Sequence, residues 1–546
     1  MAGPRAAVAA APETVGPVGT GGRWVWLVAV AAFFLMGAGW ALALPINGTY
    51  DESQHLVRAY GAASGQLYSA PTSAIRGGGA WFDVPRSLLP GNIDCTWQGK
   101  GAASCQRQAP HDHSRVRVGS AAGRYNPVYY AIVGLPLVVA PNFHGVVAAR
   151  LLSALGSALM LGFATFIAVR QRRPLLVAGV IVVATPMVLN LSGSVNPNGW
   201  EIAAGVLLWT TLLTLLRARP DELDHRFTRL LVVLSGVAGA LLLVLRALGP
   251  GLLALIVIGC LLLGRRAALV ALLRRRDVQW TLGVCALVAC YAVGWMALSG
   301  VANSDGSQPT TDSTTLGLAS ELRFLALTRL SFWANQIVGQ FSYGETTLPS
   351  WTIVTWYLLV GALVGPALAV VRRMHALVLL AILAVSFGSL LALELLYLHS
   401  IGWSQHGRYI MPFGVGLVLG AVFLHRYERA IGDGGVRRLV PGVALVAGFI
   451  HLWALLLVQT RFQFGLGRGL NPLGGSWKPP VGSLTPLFTE LLGVAALAGL
   501  AWWVTRRAGD GGAAIPATVG APAVVPAPAA ADDEGGAVAD QVAVSR

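Results

Sequence analysis

The sequence predicts an all-α polytopic membrane protein with about twelve transmembrane helices and helical outer loops. Hydrophobic residues make up 55% of its 546 residues and charged residues only 12%, a balance far more apolar than that of soluble globular proteins. Apolar runs of about 20 residues, long enough to span a bilayer, recur along the chain. The net charge is +15, but the arginines lie in short clusters between these runs, which follows the positive-inside rule and argues against nucleic acid as a partner.

The chain begins with residues 1–22, which are rich in Ala, Gly and Pro and are predicted to form a disordered cytoplasmic N-terminus. The apolar run 24–44 is long enough to span, and many spans follow it, so we interpret it as the first transmembrane helix and not as a signal peptide. The membrane domain extends over residues 23–507. Residues 508–546 are rich in Ala, Pro, Gly and Asp and are predicted to be a disordered cytoplasmic tail.

The segment directly after the first span carries an unusual set of polar residues. Thr49 and Glu52 have the spacing of a capping box, which predicts a helix that begins at Thr49. Asp51, His55 and Arg58 then share one face of this helix. Such a face could hold and deprotonate a polar substrate, as a general base does. In the alternative interpretation, Glu52 caps the helix, Asp51 complements its dipole and Arg58 pairs with lipid phosphate.

The first outer loop, residues 45–144, contains two cysteines, Cys95 and Cys105. A disulfide between them is the natural interpretation if the loop is extracytoplasmic. The His-Asp-His run at 111–113 could bind a metal ion, but alternating residues bind well only from a strand or a tight turn. A solvated loop explains the run better, so a divalent cation has no clear ligand set and the cofactor stays undetermined.

An apolar segment at 127–141 is about 15 residues long, which is short for a span. Counting it as a span would place the arginine cluster at 170–173 on the outer side. We therefore interpret it as a helix that lies in the outer leaflet or re-enters it.

The remaining spans follow from hydrophobic run length and from the alternation of arginine-rich connections. These spans are predicted at 145–169, 175–191, 201–216, 230–246, 251–264, 280–299, 352–371, 376–396, 409–424, 439–459 and 487–505. Together with the first span they make twelve. This arrangement keeps both termini cytoplasmic. Arg246 interrupts one apolar tract, and either a functional role or snorkelling to the interface accounts for it.

The later outer loops are predicted at 300–351, 397–408 and 460–486, with a short turn around Asn196. Residues 316–341 have the pattern of an amphipathic helix. All the unusual polar residues lie on this outer face. The candidate substrate-binding residues there are His55, Arg58, Tyr125, Asn126, Asn196, Glu345, Gln405, His406, Arg408 and Tyr409.

Arg58 and Arg408 are the cations available to a phosphate. Arg408 is the candidate for binding it, because an interfacial arginine presents several donors while its stem stays in apolar surroundings. Snorkelling to lipid headgroups is the alternative. Gly407 beside it would let a ligand approach the backbone closely.

Three segments together resemble a known family: residues 51–59, 344–349 and 406–409. On these segments the chain resembles the bacterial membrane protein family catalogued as domain of unknown function 2142. That family is itself similar to the C-type superfamily of integral-membrane glycosyltransferases. The resemblance covers most of residues 24–505.

The resemblance implies a donor sugar on a polyprenyl phosphate and an acidic catalytic base in the first outer loop. By position that role falls on Asp51, with Glu52 as the second choice. The stretch from Tyr125 to Tyr130 resembles a Pro-Pro-Leu-Tyr segment of those enzymes, with Asn126 in place of one proline.

The leading hypothesis is therefore sugar transfer from a polyprenyl phosphate to a cell-envelope glycan or lipid acceptor, at the outer face of a bacterial plasma membrane. No Gly-rich nucleotide loop follows a strand, so a soluble nucleotide-sugar donor has no evident site. A transporter or flippase of lipid-linked glycans is the main rival, although no inverted repeat is evident. A non-catalytic scaffold that binds such glycans is the third hypothesis.

Overall fold

The computed structural model describes residues 21–67, 79–97, 100–217, 223–300 and 317–510. The predicted disordered termini fall outside this part of the chain, apart from a few residues next to the membrane domain, so their disorder stays a prediction. In chain order the α-helices are α1 (Gly21–Ala43), α2 (Glu52–Ala63), α3 (Pro127–Val133), α4 (Leu135–Val139), α5 (Phe143–Arg170), α6 (Pro174–Val183), α7 (Pro186–Ser192), α8 (Pro197–Arg217), α9 (His225–Leu245), α10 (Gly249–Leu263), α11 (Arg266–Leu273), α12 (Arg276–Ser299), α13 (Leu318–Phe324), α14 (Leu330–Val338), α15 (Ser350–Val370), α16 (Arg373–Ile401), α17 (Met411–Gly414), α18 (Gly416–Phe423), α19 (His425–Phe464) and α20 (Leu484–Asp510).

Four short strands accompany the helices. The strands are β1 (Ala80–Pro85), β2 (Arg115–Ser120), β3 (Gln340–Phe341) and β4 (Thr346–Thr347), paired antiparallel as β1 with β2 and β3 with β4. A π-helical turn joins α13 to α14, so the predicted amphipathic helix is present as one nearly continuous element. The fold class is that of an all-α polytopic membrane protein, as predicted.

Nine of the described helices are long and apolar enough to cross a membrane: α1, α5, α8, α9, α12, α15, α16, α19 from Ala430 onward, and α20. The predicted span 175–191 is the pair α6 and α7, which is bent by 68° and makes a tenth if counted as one span. Pro186 explains this bend, because proline disfavours helical backbone in the residue before it. The predicted spans 251–264 and 409–424 are shorter apolar helices, α10 and the stretch from Gly407 to Phe423.

The first outer loop contains the β1–β2 sheet in addition to helices, which the prediction of helical outer loops missed. Ala80 pairs with Ser120 at one end of the sheet and Pro85 with Arg115 at the other. Residues 115–118 alternate arginine and valine, and this period of two is the strand signal in the sequence.

The segment 127–141 consists of α3 and α4, helices of seven and five residues, and neither is long enough to span. Several of their apolar side chains are exposed, with Leu135 at 58% and Val139 at 87%. Exposed apolar side chains at the outer end of the bundle fit a helix lying in the outer leaflet, which stays a prediction.

The core of the bundle is built around α1, which packs against α5 and α20, while α8 packs against α5 and α9. Four tryptophans, Trp40, Trp209, Trp333 and Trp356, are almost completely buried within the bundle. Trp40 lies three residues before the end of α1, which leads into the polar segment before α2.

Candidate functional site

The start of α2 differs from the predicted capping box. The helix begins at Glu52, preceded by Asp51 in the left-handed conformation with φ 57° and no side-chain cap bond. The Thr49 hydroxyl is buried and has no hydrogen-bond partner within the described chain. Asn47 caps the helix instead, because its Oδ1 accepts from Ser53 N–H at 3.2 Å and its N–H donates to Glu52 Oε2 at 3.0 Å. The predicted helix start at Thr49 is therefore wrong by three residues.

Glu52, the second choice for the base, is a buried structural residue. Arg150 of α5 donates to both of its carboxylate oxygens, at 2.7 and 2.6 Å, and both side chains are 0% exposed. The same guanidinium donates to the carbonyls of Ala41, Leu44 and Pro45, at the end of α1. The pair fixes the first outer loop to the bundle, so Glu52 cannot reach a substrate.

Asp51 contacts a residue from a distant part of the sequence, Arg408. Its Oδ2 lies 3.0 Å from Nη2 of Arg408, which follows α16. The Asp51 side chain is 43% exposed, whereas that of Arg408 is only 1% exposed. The Arg408 guanidinium lies 4.1 Å from the ring centre of Tyr50 and 5.2 Å from that of Tyr409. A substrate can therefore reach the carboxylate, while the cation is enclosed by aromatic rings.

Arg408 has hydrogen-bonding capacity that its described neighbours leave unused. Its Nε and Nη1 are buried and have no partner among the residues that the structure describes. A buried charged donor without an acceptor costs more than an ordinary unmade hydrogen bond. The N–H donors of a guanidinium suit phosphate oxygens, so these two unused nitrogens are candidates for binding a phosphate.

Tyr50, Gln336 and His406 form a hydrogen-bonded chain beside this ion pair. Gln336 Nε2 lies 3.0 Å from Tyr50 Oη and 2.8 Å from His406 Nδ1, and its Oε1 accepts from Gly407 N–H at 2.8 Å. Burial raises the pKa of Tyr50 to about 12, so its hydroxyl is neutral at physiological pH. Burial and the nearby Arg408 charge hold the pKa of His406 well below its usual value.

Gly407 does not provide the backbone approach for a ligand that its position suggested. A Cβ atom there would lie 2.2 Å from the carbonyl oxygen of Trp333. The glycine is therefore required by close packing against α14, which brings Arg408 to its place.

His55 and Arg58 lie on one face of α2, as predicted. Their hydrogen bonds go to neighbouring segments of the protein and not to Arg408. His55 Nδ1 lies 2.8 Å from Tyr130 Oη, and burial lowers the pKa of His55 to about 3. Arg58 donates to the Tyr125 carbonyl at 3.2 and 2.7 Å and to the Leu67 carbonyl at 2.9 Å. Burial also lowers the pKa of Arg58 to about 10. Both side chains hold the segment around α3 against α2.

Tyr125 and Tyr409 flank a third cation, Arg246, which the sequence analysis noted but did not place in the site. Its Cζ lies 4.2 Å from the Tyr409 ring centre and 6.0 Å from that of Tyr125, and Nη1 lies 3.8 Å from Glu201 Oε2. Arg246 lies between α9 and α10, and Pro250 is the second residue of α10. In the sequence, the interruption of the apolar tract at Arg246 was the signal that could have assigned this residue to the site.

The other predicted site residues support the surrounding backbone. Asn126 caps α3 by accepting from Val128 N–H at 3.1 Å, and Asn196 donates to the Tyr50 carbonyl at 3.0 Å. The Gln405 carbonyl accepts from Arg329 at 2.7 Å and from Trp333 at 3.1 Å.

Glu345 belongs to a separate cluster that anchors the disulfide loop. Cys95 and Cys105 are joined, with their Cα atoms 6.1 Å apart. Arg461 of α19 donates to the carbonyls of Gly101, at 2.8 Å, and Thr96, and it pairs with Glu345 at 3.4 Å. The C-terminal end of α19 therefore fixes both this loop and the β3–β4 turn.

No group of three or more His, Cys, Asp or Glu side chains that could hold a metal ion occurs within the described residues. At the His-Asp-His run, Asp112 accepts from Ser114 N–H at 3.0 Å and from its hydroxyl at 2.5 Å. The structure therefore offers no ligand set in this part of the chain, and a metal requirement is left open.

Comparison with known proteins places the chain in a family of predicted membrane proteins. A family model described as "Predicted membrane protein (DUF2142)" matches residues 34–417. No curated protein matches the chain. Two crystal structures of ArnT from Cupriavidus metallidurans, apo and bound to undecaprenyl phosphate, align with TM-scores of 0.38 and 0.40. Each is 14% identical and covers 89% of this chain and 77% of the ArnT chain, a similarity too low to indicate a reaction or a ligand.

Proposed function

The chain belongs to the DUF2142 family of predicted membrane proteins, and from that premise we propose that it is an integral-membrane glycosyltransferase. It moves a sugar from a polyprenyl-phosphate donor to a cell-envelope glycan or lipid acceptor. The reaction takes place at the outer face of the bacterial plasma membrane, with both termini of the chain in the cytoplasm. The family description names no reaction, so the proposal depends on the side chains of the site.

The single observation that carries the proposal is the pairing of Asp51 with Arg408. One partner is a half-exposed carboxylate, and the other is a buried guanidinium with two unpartnered nitrogens within the described chain. Sugar transfer from a phosphate needs these two groups together: a base for the acceptor hydroxyl and a cation for the departing phosphate. Their separation of 3.0 Å brings both functions to one place.

In the proposed reaction the Asp51 carboxylate accepts the proton of an acceptor hydroxyl. The acceptor oxygen forms a bond to the anomeric carbon of the donor sugar, and the bond between that carbon and the phosphate oxygen breaks. The electron pair of that bond leaves with polyprenyl phosphate, whose growing negative charge Arg408 stabilises. Arg408 contributes more in the transition state than in the bound donor, which is how an interaction accelerates a reaction.

Without a donor, Arg408 pairs with Asp51 and so stabilises the carboxylate in its unreactive, ion-paired form. A donor phosphate offers the guanidinium a competing anion with more acceptor oxygens. The proposal therefore includes an order of binding in which the donor releases Asp51 before the acceptor is deprotonated.

The position of ionisable residues within the bundle supports an interfacial reaction. Besides Arg461, four buried ionisable side chains lie within two turns of predicted outer helix ends, and these are Arg150, Glu201, Glu394 and Glu490. A transport pathway would instead be expected to place such groups near the middle of the membrane. His451 in α19 lies deeper than these four, and it packs against Trp356.

Labelled polyprenyl-phospho-sugar, mixed with purified protein and envelope lipid acceptors, tests the proposal. Release of polyprenyl phosphate with transfer of the label to the acceptor is the expected result. Uptake of the label into vesicles without bond cleavage would indicate a transporter. Saturable binding without either would indicate a scaffold, and both of these results would contradict the proposal.

A further inference from the structure

A basic groove lies at the opposite end of the bundle from the Asp51–Arg408 pair, between the first turns of α9 and α12. Its cavity has a volume of about 600 Å³. The arginine distribution places this end on the cytoplasmic side. The groove is lined by the basic residues His225, Arg229, Arg275 and Arg276, by the acidic residue Asp277, and by Val233, Trp280 and Thr281.

The groove exists because the two helices approach closely deeper in the membrane and separate towards the cytoplasm. A Cβ atom at Gly236 of α9 would lie 2.5 Å from Cγ2 of Thr281 in α12. One turn further on, Cys285 Sγ lies 3.7 Å from the Gly236 carbonyl oxygen. This contact closes the groove on its membrane side and leaves it open towards the lipid headgroups.

The charges of the groove favour an anion. Arg275 is neutralised locally by a two-point contact with Asp277, at 3.0 and 2.7 Å. Arg229 and Arg276 make no ion pair with any acidic residue that the structure describes, and both are exposed.

The apolar lining distinguishes a lipid from a soluble anion. On α9, residues 225, 229 and 233 recur every four positions, so a basic strip leads directly to Val233, which is 48% exposed. On α12, Trp280 follows Arg276 by one turn and is 76% exposed. Tryptophan is enriched at membrane interfaces, and a free phosphate would gain nothing from either apolar side chain.

We propose that this groove binds an anionic phospholipid of the cytoplasmic leaflet. The lipid phosphate lies between Arg229 and Arg276, and the start of an acyl chain follows Val233 and Trp280. Basic pockets between transmembrane helices on the cytoplasmic side have the chemistry for this ligand class. The site is separate from the proposed transfer reaction and does not depend on it.

Native mass spectrometry of the full-length protein, titrated with phosphatidylglycerol or phosphatidylcholine, tests the proposal. The wild type should bind phosphatidylglycerol more tightly than phosphatidylcholine. Each of Arg229→Gln and Arg276→Gln should weaken phosphatidylglycerol binding about 5-fold, and the double variant about 30-fold, on the usual contribution of a basic residue near a membrane surface. Phosphatidylcholine binding should not change.

The matched control is Arg372→Gln with Arg373→Gln, which removes the same charge from an exposed pair at the start of α16, outside the groove. This control should keep wild-type affinity. Equal losses in the two double variants would overturn the proposal, because the effect would then be one of general surface charge. Equal binding of the two lipids by the wild type would also overturn it. Displacement of phosphatidylglycerol by excess inorganic phosphate would overturn the lipid assignment in favour of a soluble anion.

Discussion

Asp51 occupies an uncommon backbone conformation for a residue with a side chain, with φ 57° directly before the first helical residue of α2. Such outliers cluster at functional sites, where the surrounding structure holds them in place. Here Asn47 caps the helix, and Glu52 is fixed by Arg150, so both neighbours of the turn are immobilised. The strained turn therefore directs the Asp51 carboxylate towards Arg408.

Arg408 should contribute to turnover as well as to donor binding. Arg408→Ala should lower both kcat and donor affinity, and Arg408→Lys should be tolerated poorly, because a lysine cannot offer paired donors to a phosphate. Steady-state kinetics with varied donor concentration measures both effects. Arg107→Ala, at an exposed arginine in the same outer region, is the control and should behave as wild type. Wild-type kcat and KM in Arg408→Ala would remove this residue from the site.

Glu52 should matter for stability and not for chemistry. Glu52→Gln leaves the Arg150 guanidinium buried without a compensating charge, and breaking a buried pair in this way typically costs about 3 to 5 kcal/mol. Thermal unfolding of the purified variant in detergent should therefore show a clearly lowered midpoint. Asp51→Asn is the comparison and should lower the midpoint less, since Asp51 is 43% exposed and asparagine keeps an oxygen that can accept from Arg408 and adopts left-handed backbone readily. An unchanged midpoint in Glu52→Gln would contradict the structural role.

At the scale of elements, the outer face is held together by few, specific connections. The Cys95–Cys105 disulfide closes a loop with a sequence separation of 10 residues, which Arg461 ties to the end of α19. A loop of this size is typically worth roughly 2 to 3 kcal/mol. The loop and the β3–β4 turn therefore form a support for the segment that carries Asp51.

The disulfide predicts a simple count of reactive thiols. The chain has five cysteines, of which Cys260, Cys285 and Cys290 are free in the structure. Alkylation of denatured, unreduced protein should label these three, and reduction beforehand should raise the number to five. Mass spectrometry of the intact chain measures the count. Five labels without reduction, in correctly inserted protein, would show that the loop is not bridged.

Sequence patterns predicted which helices exist better than where each helix begins and ends. The length of each apolar run located the membrane helices, because whether a stretch can span a bilayer depends on its own residues and not on distant contacts. The start of α2 was wrong because Thr49 and Asn47 both have capping side chains, and the left-handed conformation of Asp51 starts the helix at Glu52, where Asn47 caps it. The β1–β2 sheet was missed although its second strand alternates arginine with valine.

At the scale of the whole molecule, the site depends on contacts that no local pattern contains. Asp51 and Arg408 are 357 residues apart, and each was identified from its own segment. Their pairing, the chain from Tyr50 through Gln336, and the approach of Arg246 all require the packed bundle. Sequence patterns singled out both members of this pair, and they also proposed His55 and Arg58, whose hydrogen-bond partners are Tyr130 and neighbouring carbonyls.

The order of binding is a prediction about the whole site. If the donor phosphate must displace Asp51 from Arg408, the acceptor should react only with the protein–donor complex. Initial-rate kinetics with both substrates varied, and polyprenyl phosphate as product inhibitor, should give the pattern of an ordered mechanism in which the donor binds first. A pattern in which the acceptor binds first would contradict the ion pair's proposed role.

The most direct test of the central claim is the rate of sugar transfer by Asp51→Asn compared with wild type and with Asp83→Asn. Asp83 is an exposed carboxylate in the same outer segment, so its variant controls for the loss of one negative charge. Loss of a general base typically costs about 100-fold to 10,000-fold in rate. We expect a loss of that size in Asp51→Asn with donor binding preserved, and wild-type rates in Asp83→Asn. Wild-type transfer by Asp51→Asn would contradict the account.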